Sequence, residues 1–250
     1  GVFIVIPYER RKYILNEMSK KELINIDELC NNLDCVSRST IWRDLKSLAS
    51  EGEIILLRGG AAKLNVDAND ISIMARINMN MDKKDIIAKY ASEIVQEGDT
   101  IYIDSGTSLL SMNKYLINKR ITIFTTNVNF LLNSENVKYE CIVVGGTINK
   151  HTASISGTIT DNQLLSTFFD KSFLGATGIS VEGGINTPDQ REANKKRIVM
   201  NNSKETYVLA DNSKIGKTST FKAIDIKDCI IITNKENDLL NKYAKYIVAK

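Results

Sequence analysis

Six short apolar runs recur between residues 100 and 233 and constrain the fold of most of the chain. They are continuous and β-branched rather than alternating, so we expect strands that are buried on both faces. Most are separated by segments long enough for a helix, which is typical of a doubly wound, mostly parallel sheet. The runs are Thr100–Ile103, Ile121–Thr125, Cys141–Val144, Ser172–Leu174, Tyr207–Ala210 and Cys229–Thr233. The sequence therefore predicts an α/β domain, opened by a helix whose apolar stripe is Ile86, Ile87, Tyr90, Ala91 and Ile94.

Polar or glycine-rich clusters follow four of these runs. They are Asp104–Ser108, Thr126–Asn127, Gly145–Gly146 and Asp211–Gly216. Ligands of open parallel sheets bind in the crevice beyond the carboxyl ends of the strands. A polar loop after a strand is common for solubility alone, but four such clusters together predict a site for a small polar ligand.

The first cluster carries the most specific chemistry of the four. Gly106 lets the backbone bend closely, and amide groups that open a helix form an anion site together with the hydroxyls of Ser105, Thr107 and Ser108. We therefore expect a phosphate there. Because a carboxylate repels phosphate, Asp104 is better suited to accept hydrogen bonds from sugar hydroxyls. A capped helix start with a satisfied aspartate explains the same residues, and the sequence does not decide between the two.

Two lysines are candidates for balancing the charge of a phosphate. Lys196 lies in the charge run 195–197, so it is either a phosphate ligand or a solvated helix lysine. Lys214 lies beside Asp211 and Gly216 in a tighter context, and we favour it as functional.

A helical period marks the segment that precedes this domain. Ile41, Leu45 and Leu48 recur at i, i+4 and i+7, which predicts a helix with one apolar stripe. Ser37 is placed to cap its start and Gly52 to end it. The opposite face combines hydroxyl, guanidinium and ammonium groups with one aromatic ring, which suits base edges and phosphates. These outward residues are Ser39, Trp42, Arg43 and Lys46, and we expect Trp42 to be exposed.

The flanking residues favour a winged helix-turn-helix. A helix spans roughly Glu9–Met18, Asp27 can cap a second one, and Asp34 and Cys35 then turn the chain into the helix described above. After Gly52 come an apolar run and a glycine pair, which suit a wing. A small three-helix domain that binds protein is the alternative. The predicted DNA-binding residues are Ser37, Arg38, Ser39, Thr40, Trp42, Arg43, Lys46, Arg58, Gly59 and Gly60.

Composition excludes some classes of protein without choosing a function. A net charge of +3 over 250 residues does not argue for nucleic-acid binding by itself, so that case depends on where the cations lie. The four cysteines form no Cys-x-x-Cys pair and His151 is the only histidine, so we expect no metal site and reduced core thiols. We expect no membrane partner and a cytoplasmic protein. The predicted domains are residues 1–61 and 83–250, joined by a linker over 62–82.

The N-terminal motifs resemble the DNA-binding domain of the DeoR family of bacterial transcriptional regulators. That family typically shows a V-S-x-x-T-I-R-R-D-L run, then a glycine and a closing H-G-G-A. Two departures are Trp42, in place of the first arginine of the pair, and Arg58, in place of the usual histidine. The matching residues are Val36, Ser37, Thr40, Ile41, Arg43, Asp44, Leu45, Gly59, Gly60 and Ala61.

The larger domain is similar to the effector domain of the same family, whose fold resembles that of ribose-5-phosphate isomerase. The family's D-S-G-T-T, T-N and G-G patterns fall on the polar clusters described above, with Ser108 in place of the last threonine. Further patterns, S-x-x-G, G-x-x-G-I, E-A-x-x-K and A-D-x-S-K-x-G, also match. They fall on Ser154 and Gly157, on Gly175, Gly178 and Ile179, on Glu192, Ala193 and Lys196, and on Ala210, Asp211, Ser213, Lys214 and Gly216.

The resemblance implies a repressor, more rarely an activator, of carbohydrate genes that is controlled by a phosphorylated sugar. It implies double-stranded operator DNA as a partner, a dimer or tetramer, no cofactor and no catalytic residue. The implied effector-binding residues are Asp104, Ser105, Gly106, Thr107, Ser108, Thr126, Asn127, Gly145, Gly146, Glu192, Lys196, Asp211 and Lys214.

Two rival functions remain open at this point. One is a sugar-phosphate isomerase-like enzyme, which needs a carboxylate base, for which Asp104, Asp211 or Glu192 can be proposed. The other is a DNA-binding protein whose large domain serves for assembly and keeps a vestigial ligand pocket. Turnover of a sugar phosphate would support the first, and absence of any sugar-phosphate binding would support the second.

Overall fold

The computed structural model describes residues 6–21, 23–33, 36–51, 53–64, 80–131, 136–150 and 152–250. Two compact units divide between Met81 and Asp82, and we call them the N-terminal unit and the C-terminal unit. Several sequence predictions lie outside the described residues, namely the turn at Asp34 and Cys35, the helix end at Gly52 and most of the linker, and so does the single histidine, His151. The proposed domain bounds at residues 61 and 83 therefore remain predictions.

The N-terminal unit has the elements of a winged helix-turn-helix. In chain order they are α1 (Pro7–Lys20), β1 (Ile24–Asn25), α2 (Ile26–Asn31), α3 (Arg38–Ser50), β2 (Ile54–Leu57) and β3 (Ala61–Leu64). The three strands pair antiparallel in the order β1-β3-β2. The turn between β2 and β3 contains Gly59 and Gly60 at φ 94° and 79°, a left-handed conformation that favours glycine.

Helix caps explain where α2 and α3 begin. The Ser37 Oγ atom accepts a hydrogen bond from the Thr40 amide at 3.2 Å, which confirms the predicted cap of α3. The predicted cap of α2 by Asp27 is wrong. Asn25 holds that position and accepts from the Asp27 amide at 2.8 Å, because the helix already begins at Ile26.

The apolar stripe of α3 is buried as predicted. Ile41, Leu45 and Leu48 pack against residues of α1, α2 and the wing strands in one core. Their partners include Ile14, Leu15, Met18, Leu29, Leu33, Ile54, Ala62 and Leu64. A helix held in this way presents its opposite side to solvent.

The C-terminal unit is an α/β domain around one parallel sheet. The 7-stranded sheet has the order β15-β14-β12-β9-β4-β5-β6, and every neighbouring pair is parallel. This confirms the predicted fold class. The strands are β4 (Thr100–Ile103), β5 (Thr122–Thr125), β6 (Glu140–Val143), β9 (Phe169–Gly175), β12 (Ser203–Leu209), β14 (Ile230–Thr233) and β15 (Lys245–Val248).

Two smaller antiparallel sheets were not predicted, because their strands are only three or four residues long. β7 (Thr147–Asn149) pairs with β8 (Ser154–Ser156), and β11 (Gly184–Thr187) pairs with both β10 (Gly178–Ser180) and β13 (Phe221–Ile224). The helices are α4 (Met81–Ile94), α5 (Thr107–Leu110), α6 (Asn113–Leu116), α7 (Val128–Leu131), α8 (Thr158–Leu165), α9 (Gln190–Asn201) and α10 (Asp238–Tyr243).

Burial corrects some sequence predictions in this unit. Ile87 and Ala91 of α4 are buried, but Ile86 is exposed, because the buried stripe is centred on Ile87 and Ala88. The edge strand β6 is largely exposed rather than buried on both faces. Of the cysteines in the described residues, Cys229 is buried, whereas Cys30 and Cys141 are half-buried, and all three are free thiols. None of the helices in the described part of the chain is long and apolar enough to cross a membrane.

Candidate functional site

The outward face of α3 carries exposed cations. Ser39, Arg43 and Lys46 are exposed, on the side of the helix opposite its buried stripe. Arg58 and Gly59 are exposed at the tip of the wing. The N-terminal unit therefore presents guanidinium and ammonium groups on its helix face and at its wing, which suits contact with phosphates and base edges.

Trp42 is less exposed than predicted. Its side chain is half-buried and packs against the core of the N-terminal unit. The reason is its place on the helix, since it lies beside Ile41 and three residues before Leu45. The indole therefore helps to pack α3 against the core, and only part of the indole faces solvent.

The residues at the start of α3 bond among themselves. The Ser37 hydroxyl lies 2.9 Å from the Ser39 hydroxyl and 2.8 Å from the Thr40 hydroxyl. Arg38 forms an exposed ion pair with Asp27 of α2. A DNA phosphate would have to compete with Asp27 for this guanidinium, so Arg43 and Lys46 are better placed as contacts.

Sequence reasoning missed the role of Asp44. This carboxylate is buried and accepts from the Nε atom of Arg10 in α1 at 2.7 Å, with the Nε atom of Arg11 at 3.6 Å. This ion pair joins α1 to α3, the helix predicted to read DNA, and so fixes the position of α3 in the unit. The available signal was its spacing, because Asp44 is three residues after the buried Ile41 and shares its face.

In the C-terminal unit, Asp104 lies directly after β4 and is fully buried. Lys196 of α9 donates to its carboxylate, the Gly175 amide donates to it at 3.2 Å, and the Lys195 ammonium lies 3.7 Å away. Burial alone would raise the pKa of Asp104, but the ammonium groups of Lys196 and Lys195 outweigh it and hold that pKa well below its ordinary value. The geometry therefore favours the satisfied aspartate over an acceptor for sugar hydroxyls.

Lys195 is the residue that sequence reasoning most clearly missed. It lies in the charge run 195–197, yet its side chain is fully buried. Its ammonium donates to Ser154 Oγ and Glu192 Oε1 at 2.9 Å each, to the Ile155 carbonyl at 3.1 Å and to Thr126 Oγ1 at 3.2 Å. Its position three residues after Glu192 and four before the buried Val199 was the available signal for an inward lysine.

Four buried charges thus form one cluster at the carboxyl ends of β4 and β5, which we call the charge quartet. Its members are Asp104, Glu192, Lys195 and Lys196. Glu192 also accepts from the Ser154 hydroxyl at 2.7 Å and from the Ser105 hydroxyl at 3.4 Å. Two positive and two negative charges balance, so the quartet carries no net charge of its own.

Two predicted ligand residues, Thr126 and Asn127, follow β5 directly, and Thr126 joins the quartet through its hydroxyl group. The Thr126 hydroxyl, which receives Lys195, lies 2.8 Å from the Tyr102 hydroxyl. Burial and the nearby charge of Asp104 raise the pKa of Tyr102 well above its ordinary value, so Tyr102 stays protonated. Asn127 is buried and accepts from the Asn129 amide at 3.0 Å. The hydroxyls of Tyr102 and Thr126 therefore connect the ends of β4 and β5 to Lys195 of α9.

The glycines of this region allow close approach of backbones. A Cβ atom on Gly175 would lie 3.3 Å from the Cα atom of Gly106, where the end of β9 meets the loop after β4. A Cβ atom on Gly146 would lie 2.0 Å from Thr160 Oγ1. The helix that starts after Gly106 spans only four residues, so the dipole at its start is weak.

The remaining predicted residues divide into two groups. Thr107 and Ser108 are half-buried and therefore in reach of a ligand, as is Lys214. Asp211 is buried and accepts from the Ser213 amide at 2.9 Å, so it caps the turn that carries Lys214. Gly145 contacts α8, since its amide donates to Gln163 and its carbonyl accepts from Thr160. Among the described residues, no group of His, Cys, Asp and Glu is arranged to hold a metal ion.

Comparison with protein families agrees with this organisation. The family described as the DeoR C terminal sensor domain matches residues 79–235, and a family described as an HTH domain matches residues 10–61. The chain therefore belongs to the DeoR family of transcriptional regulators, with a DNA-binding HTH domain followed by a sensor domain.

Individual relatives cover nearly the whole chain. The sequence is 34% identical to the HTH-type transcriptional regulator FruR of Bacillus subtilis (strain 168), over 97% of both chains. It is 28% identical to the lactose phosphotransferase system repressor of Staphylococcus epidermidis, over 94% of both chains. Among solved structures, ribose 5-phosphate isomerase A from Methanocaldococcus jannaschii matches with a TM-score of 0.40 and 19% identity, over 54% of this chain and 55% of that chain.

Proposed function

We propose that this regulator is a repressor of carbohydrate genes whose affinity for operator DNA is set by a phosphorylated sugar. The DNA-binding part of this proposal depends on one observation, which is that Arg43 and Lys46 are exposed on a helix whose opposite side is buried. The proposed DNA contacts are this face and the wing tip at Arg58. The similarity to a lactose phosphotransferase system repressor supports the carbohydrate half. Because such a protein works on DNA, we place it in the cytoplasm.

The proposed effector site lies at the carboxyl ends of β4 and β5. Thr107 and Ser108 offer half-exposed hydroxyls, and Lys214 offers a cation for the phosphate. The charge quartet lies at the same strand ends and positions Ser105, whose hydroxyl lies 3.4 Å from both Asp104 and Glu192. We therefore assign Asp104, Glu192 and Lys196 a positioning role rather than direct contact with the sugar.

Control of DNA binding then follows from linkage. An effector that binds one arrangement of the chain better than another shifts the population toward that arrangement. A coupling free energy of about 1–3 kcal/mol changes operator affinity from several-fold to about a hundredfold. Readers of a two-fold operator act in pairs whose half-sites are about one helical turn apart or a multiple of it, so we propose a dimer or tetramer.

The carboxylates of the C-terminal unit support a non-catalytic role. A general base must be within reach of substrate and free to take a proton. Asp104 is fully buried and paired with Lys196, and Glu192 accepts from Ser154 and Lys195. Asp211 caps a turn. The isomerase-like alternative therefore lacks an unengaged carboxylate among its three candidates.

A thermal-shift panel of phosphorylated sugars, with the free sugars and inorganic phosphate alongside, tests the effector half of this proposal. A true effector at a hundredfold excess over its dissociation constant stabilises the protein by about 2.7 kcal/mol. We expect one phosphorylated sugar to raise the melting temperature, and its dephosphorylated form to leave it unchanged. No shift with any of them would leave a DNA-binding protein with an idle pocket, and turnover of a sugar phosphate would restore the enzyme alternative.

Lys214→Ala sharpens the same test. We expect this variant to bind operator like the wild type but to lose its response to the active sugar phosphate, because the phosphate loses its cation. Lys217→Ala, an exposed lysine three residues further along the same loop, is the matched control and should keep the response. A normal response in Lys214→Ala would remove this lysine from the site.

A further inference from the structure

Exposed apolar side chains in the C-terminal unit concentrate in one stretch of the chain. In the described part of this unit, Ile86, Ile117 and Tyr243 are exposed singly. Six more lie between residues 142 and 168, and they are Ile142, Val143, Ile148, Ile159, Leu165 and Phe168. Scattered exposed apolar residues need no explanation, but a concentration of them marks an interaction surface.

Four of these side chains belong to elements that pack on one another. The Gly145 amide, which follows β6, donates to Gln163 of α8 at 3.1 Å, and Thr160 of α8 donates back to the Gly145 carbonyl at 2.8 Å. Ile148 lies opposite Ile155 in the β7–β8 hairpin, which contacts α8. Successive residues of a strand point to opposite sides of the sheet. Ile142 therefore lies on the side of Val144, which shares a core with Leu164 of α8, and Val143 lies on the other side. We call the group Ile142, Val143, Ile148 and Ile159, which borders the β6 edge from both sides of the sheet, the β6 edge face.

The main chain of β6 is open along this face. β6 ends the strand order of the sheet, and no strand within the described residues pairs with its outer edge. Each edge strand of the sheet begins with an exposed charged residue, Glu140 in β6 and Lys245 in β15. The strands differ in the residues that follow, because Ile142 and Val143 of β6 are exposed, whereas the apolar residues of β15 are half-buried. An open, apolar edge strand is a template for pairing with another strand.

The charge of the region indicates what kind of partner fits. Residues 140–168 contain only Glu140, Lys150 and Asp161 as charged residues, about a tenth of the stretch, whereas 25% of the whole chain is charged. Depletion of charge is the mark of the core of a protein–protein interface. With so few charges, an identical surface meets it without repulsion, and a two-fold contact between identical chains requires a self-complementary surface of this kind.

We infer that the β6 edge face is where a second copy of this chain docks, across a two-fold axis that brings the two β6 edges together. The inference rests on the proposed assembly as a dimer or tetramer and names the surface that forms it. The two copies then present their recognition helices as a pair.

Sedimentation equilibrium of the full chain tests this, with Val143→Arg and Ile159→Arg as variants and Ile86→Arg as the matched control. Val143 and Ile86 are similarly exposed, at 42% and 41%, but Ile86 lies on α4. We expect the wild type and Ile86→Arg to be dimeric or larger. Each variant on the face should weaken self-association by about a hundredfold, because every two-fold contact receives the new charge twice.

A mixing experiment separates repulsion between copies from damage to one chain. Ile159→Arg and Ile159→Glu should each self-associate weakly, whereas an equimolar mixture should recover association between unlike chains. Because Ile159 is 64% exposed on α8, both variants should keep the wild-type melting profile in dilute solution, and they carry the test if Val143→Arg fails to fold.

The outcomes separate the surface from the assembly. A wild type that is monomeric at high concentration overturns the proposed assembly itself. An oligomeric wild type whose mass is unchanged in the face variants leaves the assembly standing and overturns the β6 edge face. Loss of association in Ile86→Arg as well would also count against the face, because the effect would not be local to it.

Discussion

Arg43 and Lys46 of the N-terminal unit are exposed, whereas Lys195 and Lys196 of the C-terminal unit are buried against carboxylates. The first pair is free to neutralise an external anion, and the second already neutralises Asp104 and Glu192 inside the protein. The residue types are alike and their neighbours differ. A basic residue in a sequence therefore indicates a ligand site only when its helix face is known.

The described part of the N-terminal unit also has a buried ion pair, and it too joins parts of the protein rather than binding a ligand. Arg10 and Asp44 join α1 to α3, as Lys195 and Glu192 of α9 join that helix to Ser154 and Thr126. In both units, buried charges set the position of a helix. Charged groups and hydroxyls that are exposed on these helices, or on the loops beside them, are then available to bind ligands.

Lys195→Met gives the largest expected effect and tests the buried side of the comparison. Removing one partner of a buried cluster leaves an uncompensated charge, which costs about 3–5 kcal/mol of unfolding free energy. Urea denaturation measures it. Lys204→Met is the control, since Lys204 pairs with Asp170 while its side chain is 78% exposed, and solvent screens such exposed pairs so that they contribute little to stability. A Lys195→Met variant as stable as the wild type would show that the quartet does not need this cation.

The pH dependence of stability tests the same cluster from the carboxylate side. The folded state holds the pKa of Asp104 below its ordinary value of 3.8, so the unfolded state binds the proton more readily. The resulting stabilisation is complete above that ordinary value and is lost as pH falls below it, at up to about 1.4 kcal/mol per pH unit for one proton. Denaturation measured from pH 6 to pH 2.5 should show a shallower loss in Asp104→Asn than in the wild type. Equal slopes would contradict this account of Asp104.

Arg43→Ala tests the exposed side of the comparison. We expect operator affinity to fall by about ten- to a hundredfold, as for loss of a base-reading arginine worth about 1–3 kcal/mol. Folding stability and sugar-phosphate binding should remain as in the wild type, because the side chain is exposed. Gel-shift titration at fixed salt measures the affinity. Arg191→Ala, an exposed arginine of the C-terminal unit, is the control, and equal affinity in both variants would remove Arg43 from the reading face.

Ser37→Ala gives the smallest effect of the series. The lost cap at the start of α3 should cost about 1 kcal/mol of unfolding free energy. Ser50→Ala at the other end of the same helix should stay within about 0.5 kcal/mol, because that hydroxyl bonds only to a carbonyl of its own helix. Thermal melts of the two variants compare them directly, and equal melting temperatures would deny Ser37 its role as a cap.

Local periodicity explains why much of the fold was predictable. The i, i+4, i+7 spacing of Ile41, Leu45 and Leu48 located α3 and its buried side, and continuous β-branched runs located most strands of the parallel sheet. Errors occurred where a pattern was short or at an edge. Ile86 lies at the margin of its stripe, and β15 near the end of the chain was missed.

The candidate site was less predictable, since a sequence lists charged groups without their partners. Asp104, Thr126, Glu192 and Lys196 were all named from the sequence, and the structure joins them through hydrogen bonds and ion pairs. Lys195, at the centre of that network, was named only as a member of the charge run 195–197 and received no role. Its burial depends on Ser154 and Thr126, which are distant in the chain.

The sequence by itself determined the kind of protein. Its helical stripe, its glycine-pair wing and its alternation of apolar runs with polar clusters predicted a winged helix-turn-helix joined to an α/β domain with a ligand site, because such periodicities reflect local burial. The resemblance of its motifs to the DeoR family then implied a DNA reader and a sensor. Only the tertiary structure decided which charged side chains are buried against each other and which remain exposed. That decision depends on contacts between segments far apart in the chain, where the free energy of burying an ammonium group is set by the carboxylates and hydroxyls that meet it.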